Sequence, residues 1–226
     1  MICTVPPGKR TDQKPRAWQE MRLVAAQAQD SVRTVYGATF GSVAETGRRW
    51  GHCTRAAGWG LDSQIHAVGD GVDWIRWQSR EVFGPQATFL CDFFHDSEYL
   101  GAAAPFCRPA QPDPWRRAQQ KRLKAGAVSK VLASLEAHLE AESTAEAEAP
   151  VRAAHRYLSH RLDCLDYPRA LALDLPIGSG LLESGHRHVL QARLKKAGAA
   201  WLSDHADQIA HLRVLRANDQ WLSLWN

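Results

Sequence analysis

The sequence predicts an α/β fold: a mixed sheet flanked by helices, with an all-helical insertion ahead of a late helix. Three observations predict it. Short runs rich in Val, Ile, Leu and aromatic residues alternate with amphipathic helical stretches over the first hundred residues. From about His95 to Asp174 the apolar spacing is helical. The Pro/Gly-bearing loop "DYPRALALDLPIGSG" then separates that block from two further helices. At 226 residues the chain is long enough to bury a proper core, as one domain with an insertion or as two small domains. The expected division is a core over 1–98, a helical insertion over 99–174, and C-terminal helices over 175–226 that complete the core.

"MICTV" is a short β-prone run broken by "PPGK". "AWQEMRLVAAQ" alternates, with Met21, Leu23 and Ala25 on one face and Glu20 and Arg22 on the other, which predicts one half-buried strand. "SVRTVYGATF" is a third strand. Ser42 and Glu45 have capping-box spacing for a helix that runs to about Ala57 and stops at Gly58. "SQIHAVGDG" is an apolar strand ending at Asp70 and a glycine turn, "VDWIRWQSREVF" an amphipathic helix, and "ATFLCDFF" the next buried strand. The order β-β-β-α-β-α is the ribonuclease-H-like arrangement, in which the first and fourth strands lie side by side. Within the insertion "AVSKVLASLEAHLEAESTAEAEAP" is the clearest helix, and its tract Ala141 to Ala149 reads as a solvated helix end or a linker. The last helix covers about Ser203 to Ala217. There is no internal repeat.

The formal net charge of +4 and the pI near 8.9 are compatible with nucleic acid without requiring it. The charge is unevenly placed. Arg108 to Lys130 holds seven Lys/Arg against Asp113 alone, Glu136 to Glu148 holds five acids and neither Lys nor Arg, and Ser184 to Arg216 is basic again. Five cysteines form no CxxC pair, and their odd number argues against a disulfide framework. No secretory leader pattern precedes Lys9, and no apolar run approaches a membrane span. A reduced, soluble, cytoplasmic protein, nucleoid-associated if it binds DNA, is therefore expected.

Asp70 ends a buried strand where a glycine turns the chain, the kind of place where open α/β sheets gather functional side chains. Capping of the next helix would also account for it. Glu183, behind the Gly-Ser-Gly turn, is an acid in a helix's first turn, which the helix dipole alone favours. In the ribonuclease-H-like order, however, acids at two strand ends and one on a late helix converge. Three carboxylates suit two Mg²⁺ or Mn²⁺ ions, hard cations that prefer oxygen. Two such ions about 3.5–4 Å apart activate an attacking hydroxyl and stabilise the leaving oxygen in phosphodiester transfer. Arg187, His188, Arg193, Lys195 and Lys196 would then line the approach of a DNA backbone, or else form a solvated basic face. Asp92 and His95, at the last strand's end, can orient substrate or assist proton transfer. Asp96 and Glu98 read as first-turn helix acids. No second Cys/His pair accompanies Cys91 and His95, which argues against zinc, and Ser179 does not sit in a G-x-S-x-G elbow. Trp201 reads as a packing residue more readily than as a base-stacking one.

Two blocks, "VGDGVDWIRWQSREVFGPQATFLCDFFHDSEYL" and "LPIGSGLLESGHRHVLQARLKKAGAAW", resemble bacterial insertion-sequence transposases of the Kra type, DDE enzymes allied to the Mutator-like group. The matching motifs are a Gly-Asp-Gly turn followed by Trp, an Asp-x-x-His with a Glu, a Pro-Ile-Gly-Ser-Gly run, a Glu-Ser pair, and an Arg-Leu-Lys element followed by Trp. The resemblance extends to the ending "NDQWLSLW". It implies metal-dependent cleavage and strand transfer at transposon ends, with duplex DNA as partner, Mg²⁺ or Mn²⁺ as cofactor, and action as a homo-oligomer. By the same resemblance Asp70 is the second catalytic acid, Glu183 the third, on the last catalytic helix, and Asp92 and His95 the auxiliary motif. The first catalytic Asp would fall just before Met1, since Asp12 and Asp30 do not fit its place. The implied chain is thus N-terminally truncated and unable to complete the two-metal site alone. The rival expectation is a non-catalytic DNA-binding or interaction protein of transposase origin, and a third is a structure-selective nuclease.

Overall fold

The computed structural model describes residues 1–7 and 15–225; Gly8 and Lys9 of the "PPGK" break, and Asp12, lie outside the described residues. In chain order the elements are β1 (Ile2–Val5), β2 (Ala17–Gln19), β3 (Arg22–Gln27), β4 (Thr34–Thr39), α1 (Val43–Ala56), β5 (Ile65–Gly69), α2 (Asp73–Phe83), β6 (Ala87–Cys91) and α3 (Phe93–Cys107). They continue with α4 (Pro112–Lys124), α5 (Val128–Glu136), α6 (Pro150–Ser159), α7 (Tyr167–Ala172), α8 (Gly180–Gly185), α9 (Ala192–Leu194), β7 (Trp201–Leu202) and α10 (Ser203–Ala217). The chain is a mixed α/β protein, 56% helical, with small sheets. Among the described residues no helix is long and apolar enough to cross a membrane.

Two compact units form. The first comprises Met1–Gln64, Gln78–Gln86 and Gly180–Asn226, and the second Ile65–Trp77 and Ala87–Ser179. In the first unit β1 pairs antiparallel with β2 and parallel with β7, while β3 and β4 form a separate antiparallel hairpin. The single strand expected over "AWQEMRLVAAQ" is therefore two strands that break at Glu20–Met21 and join different sheets. The half-buried alternation also fails, because β3 is buried on both faces. Leu23 packs with Met21, Ala38, Val189, Leu190, Ala206 and Ala210, whereas Val24 packs with Val35 and Cys53. A hairpin covered on both sides leaves no solvent face to alternate toward.

α10 also completes the backbone bonding of β4. The Asn218 amide accepts from Tyr36 N at 2.9 Å and donates to Tyr36 O at 3.0 Å, as a neighbouring strand would, and Asp207 accepts from Phe40 N at 3.1 Å. α1 starts where its cap predicts: Ser42 Oγ accepts from Glu45 N at 3.2 Å. The reciprocal half of the capping box is replaced, since Glu45 turns forward to Arg48 and Arg49.

The second unit places the parallel pair β5–β6, in register from Ile65↔Ala87 to Gly69↔Cys91, with helices α3 to α7. Their shared core contains Leu90, Leu100, Leu123, Leu135, Val151, Leu158 and Tyr167. The expected long helix stops at Glu136, and the Ala/Glu tract behind it is neither a helix end nor a free linker. Glu140 accepts from Val151 N and Arg152 N, both at 2.8 Å, which caps α6 with a charge its dipole favours. Glu146 pairs with Arg152 and Arg156, and Ala149 is fully buried.

Candidate functional site

Asp70 follows β5, and its carboxylate is exposed. One oxygen accepts from Val72 N at 3.2 Å in a local turn, which is not the usual cap of a helix that begins only at Asp73. Its backbone, by contrast, is clamped. Tyr157 Oη donates to Asp70 O at 2.7 Å, and Arg161 Nε donates to Gly71 O at 2.8 Å. Gly71 has φ +75°, and a Cβ there would stand 2.5 Å from Tyr157 Oη, so the turn admits only glycine. The clamp is itself layered. The Tyr157 ring stacks on Tyr99 at 4.1 Å, and the Arg161 guanidinium lies 4.2 Å from the Tyr157 centroid. His95 meets the edges of both tyrosines, at 5.4 and 5.6 Å, and its Nδ1 lies 3.4 Å from Glu98.

Asp92 follows β6, next to Asp70 on the same C-terminal edge; its N–H donates to Gly69 O at 2.7 Å. Its side chain is committed. One oxygen caps α3, accepting from Phe94 N at 2.7 Å and His95 N at 3.4 Å. The other accepts from Ser179 N at 2.8 Å and from the Ser179 hydroxyl. Asp92 thus staples the Pro-Ile-Gly-Ser-Gly loop to the strand edge. The same loop is tied by Phe93 N to Ile177 O at 2.9 Å and by His66 Nε2 to Pro176 O at 2.8 Å. Gly178 sits where a Cβ would come within 2.5 Å of the Phe94 ring. These contacts give the loop motif a structural cause.

Asp96 is in the first turn of α3, as its position predicts, but it is fully buried. Tyr167 donates to one oxygen, and the other has no hydrogen-bond partner among the described residues. Burial pushes this carboxyl up to about 6, against the opposing pull of the tyrosine hydroxyls. Burial and the nearby Asp96 charge hold the Tyr157 and Tyr167 phenols well above their ordinary range.

Glu183 belongs to the first unit, on α8, and is exposed. Its helix is set by Gly185, where a Cβ would lie 2.6 Å from Tyr36 Cε1 and 3.0 Å from Leu23 Cδ2. α8 passes directly into a π-helical segment, His186–Gln191, and then α9. Arg213 of α10 bonds the carbonyls of that segment, donating to Val189 O at 3.0 Å and to His188 O. A π-turn shifts the residues beyond it around the helix and is a frequent companion of functional sites. Arg187, His188, Arg193, Lys195 and Lys196 are all exposed. Trp201 is half-buried, with its indole N–H on Leu194 O at 3.0 Å and Arg193 over its ring at 4.9 Å, so it packs.

The second unit therefore brings Asp70, Asp92 and His95 to one strand edge, and Glu183 stands with the basic residues in the first. Among the described residues no group of three or more His, Cys, Asp or Glu is arranged to hold a metal ion. Asp70 and Glu183 fit a hard cation individually, as exposed oxygen donors. Asp92 does not, because four donors already occupy its oxygens. Sequence reasoning missed Tyr157, Arg161, Ser179 and Arg213 as positioning residues. Only Ser179 lay in a noted motif, and nothing in one sequence marks the others.

No curated protein and no solved structure matches the chain. A family model does match, over residues 61–223, a span that holds Asp70, Asp92, His95 and Glu183 together. The chain belongs to the uncharacterised protein family UPF0236.

Proposed function

We propose that the protein is the catalytic portion of a DDE transposase with a ribonuclease-H-like core, acting in metal-dependent cleavage and transfer of duplex DNA at transposon ends. The observation that carries this reading is the state of Asp70. Its backbone is clamped by Tyr157, Arg161 and a glycine-only turn, while its carboxylate stays exposed and lightly used. Fixing a turn so firmly around an uncommitted acid suits a metal ligand better than a helix cap. Asp70 and Glu183 would each offer an oxygen ligand to Mg²⁺ or Mn²⁺, which supplies Lewis acidity to the phosphodiester. Asp92 would act as a positioning residue that anchors the loop leading to Glu183. His95, at the strand edge beside the Tyr157 clamp, would hold or move a proton near the scissile group. Arg187, His188, Arg193, Lys195 and Lys196 would bind DNA phosphates.

The second reading, a non-catalytic DNA-binding protein of transposase origin, rests on the exposed Arg187, His188, Arg193, Lys195 and Lys196, which need no metal to meet phosphates. Mn²⁺ titration of the full chain by calorimetry separates the two. Asp70→Asn and Glu183→Gln are each expected to weaken binding at least about tenfold, roughly 1.4 kcal/mol. Asp92→Asn is expected to leave Mn²⁺ affinity alone and to lower the melting temperature, because its amide would face the Ser179 N–H donor to donor. Mn²⁺ binding that is indifferent to both Asp70→Asn and Glu183→Gln would remove the catalytic reading.

A further inference from the structure

We propose that the exposed face of α4, in the helical block of the second unit, is a docking surface for the phosphates of duplex DNA. It is distinct from the basic residues that follow Glu183. The inference takes its choice of polyanion from the transposase reading, but the surface itself stands on its own geometry.

α4 buries Gln119 and Leu123 and half-buries Trp115. The opposite face carries Arg117, Lys121 and Lys124, all exposed and spaced i, i+4, i+7. At a rise of about 1.5 Å per residue the three cations span roughly 10 Å along a rigid rod. That is a linear row of positive charge facing a polymer whose strand presents a phosphate about every 3.4 Å of axis. Among the described residues none of the three has a carboxylate within ion-pair distance, and neither do the exposed Arg108 and Lys130.

The bland explanation is the helix dipole, which favours cations in a last turn. It covers Lys121 and Lys124. It does not cover Arg117, and it works against Lys130, which stands in the first turn of α5, and Arg108, which precedes α4. The neighbouring acids do not neutralise the row either. Glu136 is turned to His155, Glu140 to the start of α6, and Glu146 to Arg152 and Arg156. Three acids of that tract are thus engaged within the fold, while Glu142 and Glu148 stay exposed. None of the five lies within ion-pair distance of the row, which keeps its charge for an outside partner.

The row also has a direction. Lys124 Nζ lies 4.5 Å from the centroid of Phe93, the residue after Asp92. The stripe therefore ends near the strand edge that carries Asp70 and Asp92, beside the exposed Phe94 ring. A duplex tracked along α4 would be led toward those acids.

The test is equilibrium binding of the full chain to a random-sequence duplex, followed by fluorescence anisotropy over a series of salt concentrations. The variant combines Arg117→Ala, Lys121→Ala and Lys124→Ala. If all three engage phosphates, the log–log salt slope should flatten by up to about 2.7, with a uniform loss of affinity. Arg117→Lys, Lys121→Arg and Lys124→Arg together should keep both. Arg117 and Lys121 are exposed, and Lys124→Ala gives up one ammonium–ring contact with Phe93, so circular dichroism should stay at the parent value and the melting temperature should fall only slightly. An unchanged slope and affinity in the alanine variant would overturn the proposal. So would poly-glutamate binding as tightly as the duplex through the same three residues, because the surface would then suit acidic proteins. The outcomes separate from the transposase reading: Mn²⁺ binding that ignores both Asp70→Asn and Glu183→Gln refutes that reading and leaves the slope measurement untouched. A normal slope with Mn²⁺ binding lost in Asp70→Asn refutes this proposal alone.

Discussion

Asp92 caps α3 and Asp96 lies in its first turn, and their environments give the two carboxylates opposite characters. Asp92 accepts from four donors, so both of its oxygens are hydrogen-bonded although the residue is buried. Asp96 has one donor, from Tyr167, and one oxygen without a partner among the described residues, so burial favours its protonated form. This sets a pH dependence. The carboxyl rises from 3.8 in the open chain to about 6 in the fold. The folded protein then binds the extra proton, and the stability it contributes is complete below the unfolded value. It is lost as pH rises through about 6, and the full gap corresponds to roughly 3 kcal/mol at most. Asp96→Asn mimics the protonated acid and removes the dependence. Melting curves of parent and variant should nearly coincide at pH 4, and the variant should gain on the parent up to pH 7. A constant difference across that range would show that Asp96 is ionised at low pH in the fold. None of this was legible in the sequence, where Asp96 could be placed only in a first helical turn. The burial comes from α7, whose Tyr167 lies 71 residues away in the chain.

At the scale of elements, the helix that carries Glu183 is defined by contact with the β3–β4 hairpin. Gly185 is what allows it. In an ordinary helix a glycine costs about 1 kcal/mol relative to alanine, so Gly→Ala should stabilise. Here the added methyl would meet Tyr36 Cε1 at 2.6 Å and Leu23 Cδ2 at 3.0 Å, and overpacking of this kind typically costs about 1–3 kcal/mol. Gly185→Ala is therefore expected to destabilise, with a lowered midpoint in urea unfolding; a raised midpoint would show that α8 stands clear of the hairpin. The same scale explains what pattern reading could and could not see. The Ser42 cap, the Gly58 stop and the strand ends at Asp70 and Asp92 were legible because local spacing determines them. The parallel pairing of those two strands was not, since the expected hydrogen-bonded neighbours were the first and fourth strands, whereas β5 pairs with β6 and β1 with β2 and β7. Nor was the split of "AWQEMRLVAAQ". Leu23 and Val24 are adjacent yet serve two cores, which a period-two reading must assign to one buried and one exposed face. The π-helical segment was equally hidden, because its carbonyls are taken up by Arg213 from a different helix.

For the whole molecule, the decisive fact is that the first unit is assembled from three stretches of chain, whereas the second has its core within 65–179. The β3–β4 hairpin comes from the N-terminal stretch, and the cover over one of its faces comes from residues after 180. Val189, Leu190, Leu194, Ala206, Ala210 and Val214 pack on Ile2, Met21, Leu23 and Ala38, and Asn218 and Asp207 bond the β4 backbone. A fragment of residues 1–179 would leave that apolar face bare and the Tyr36 and Phe40 amides without those partners. The core of its helical block would remain intact, since every residue of that cluster is present. Limited proteolysis of the fragment should therefore cut within residues 1–64 and spare 87–179. The complementary peptide, 180–226, should be largely unfolded alone, because its short helices lack a partner face. Mixing the two should restore protection to residues 1–64, and Asn218→Ala in the peptide should weaken that rescue. Protection of 1–64 without the peptide would mean that α1 and the hairpin suffice as a core, and that the helices after Glu183 are held by the rest of the unit without being required to form it.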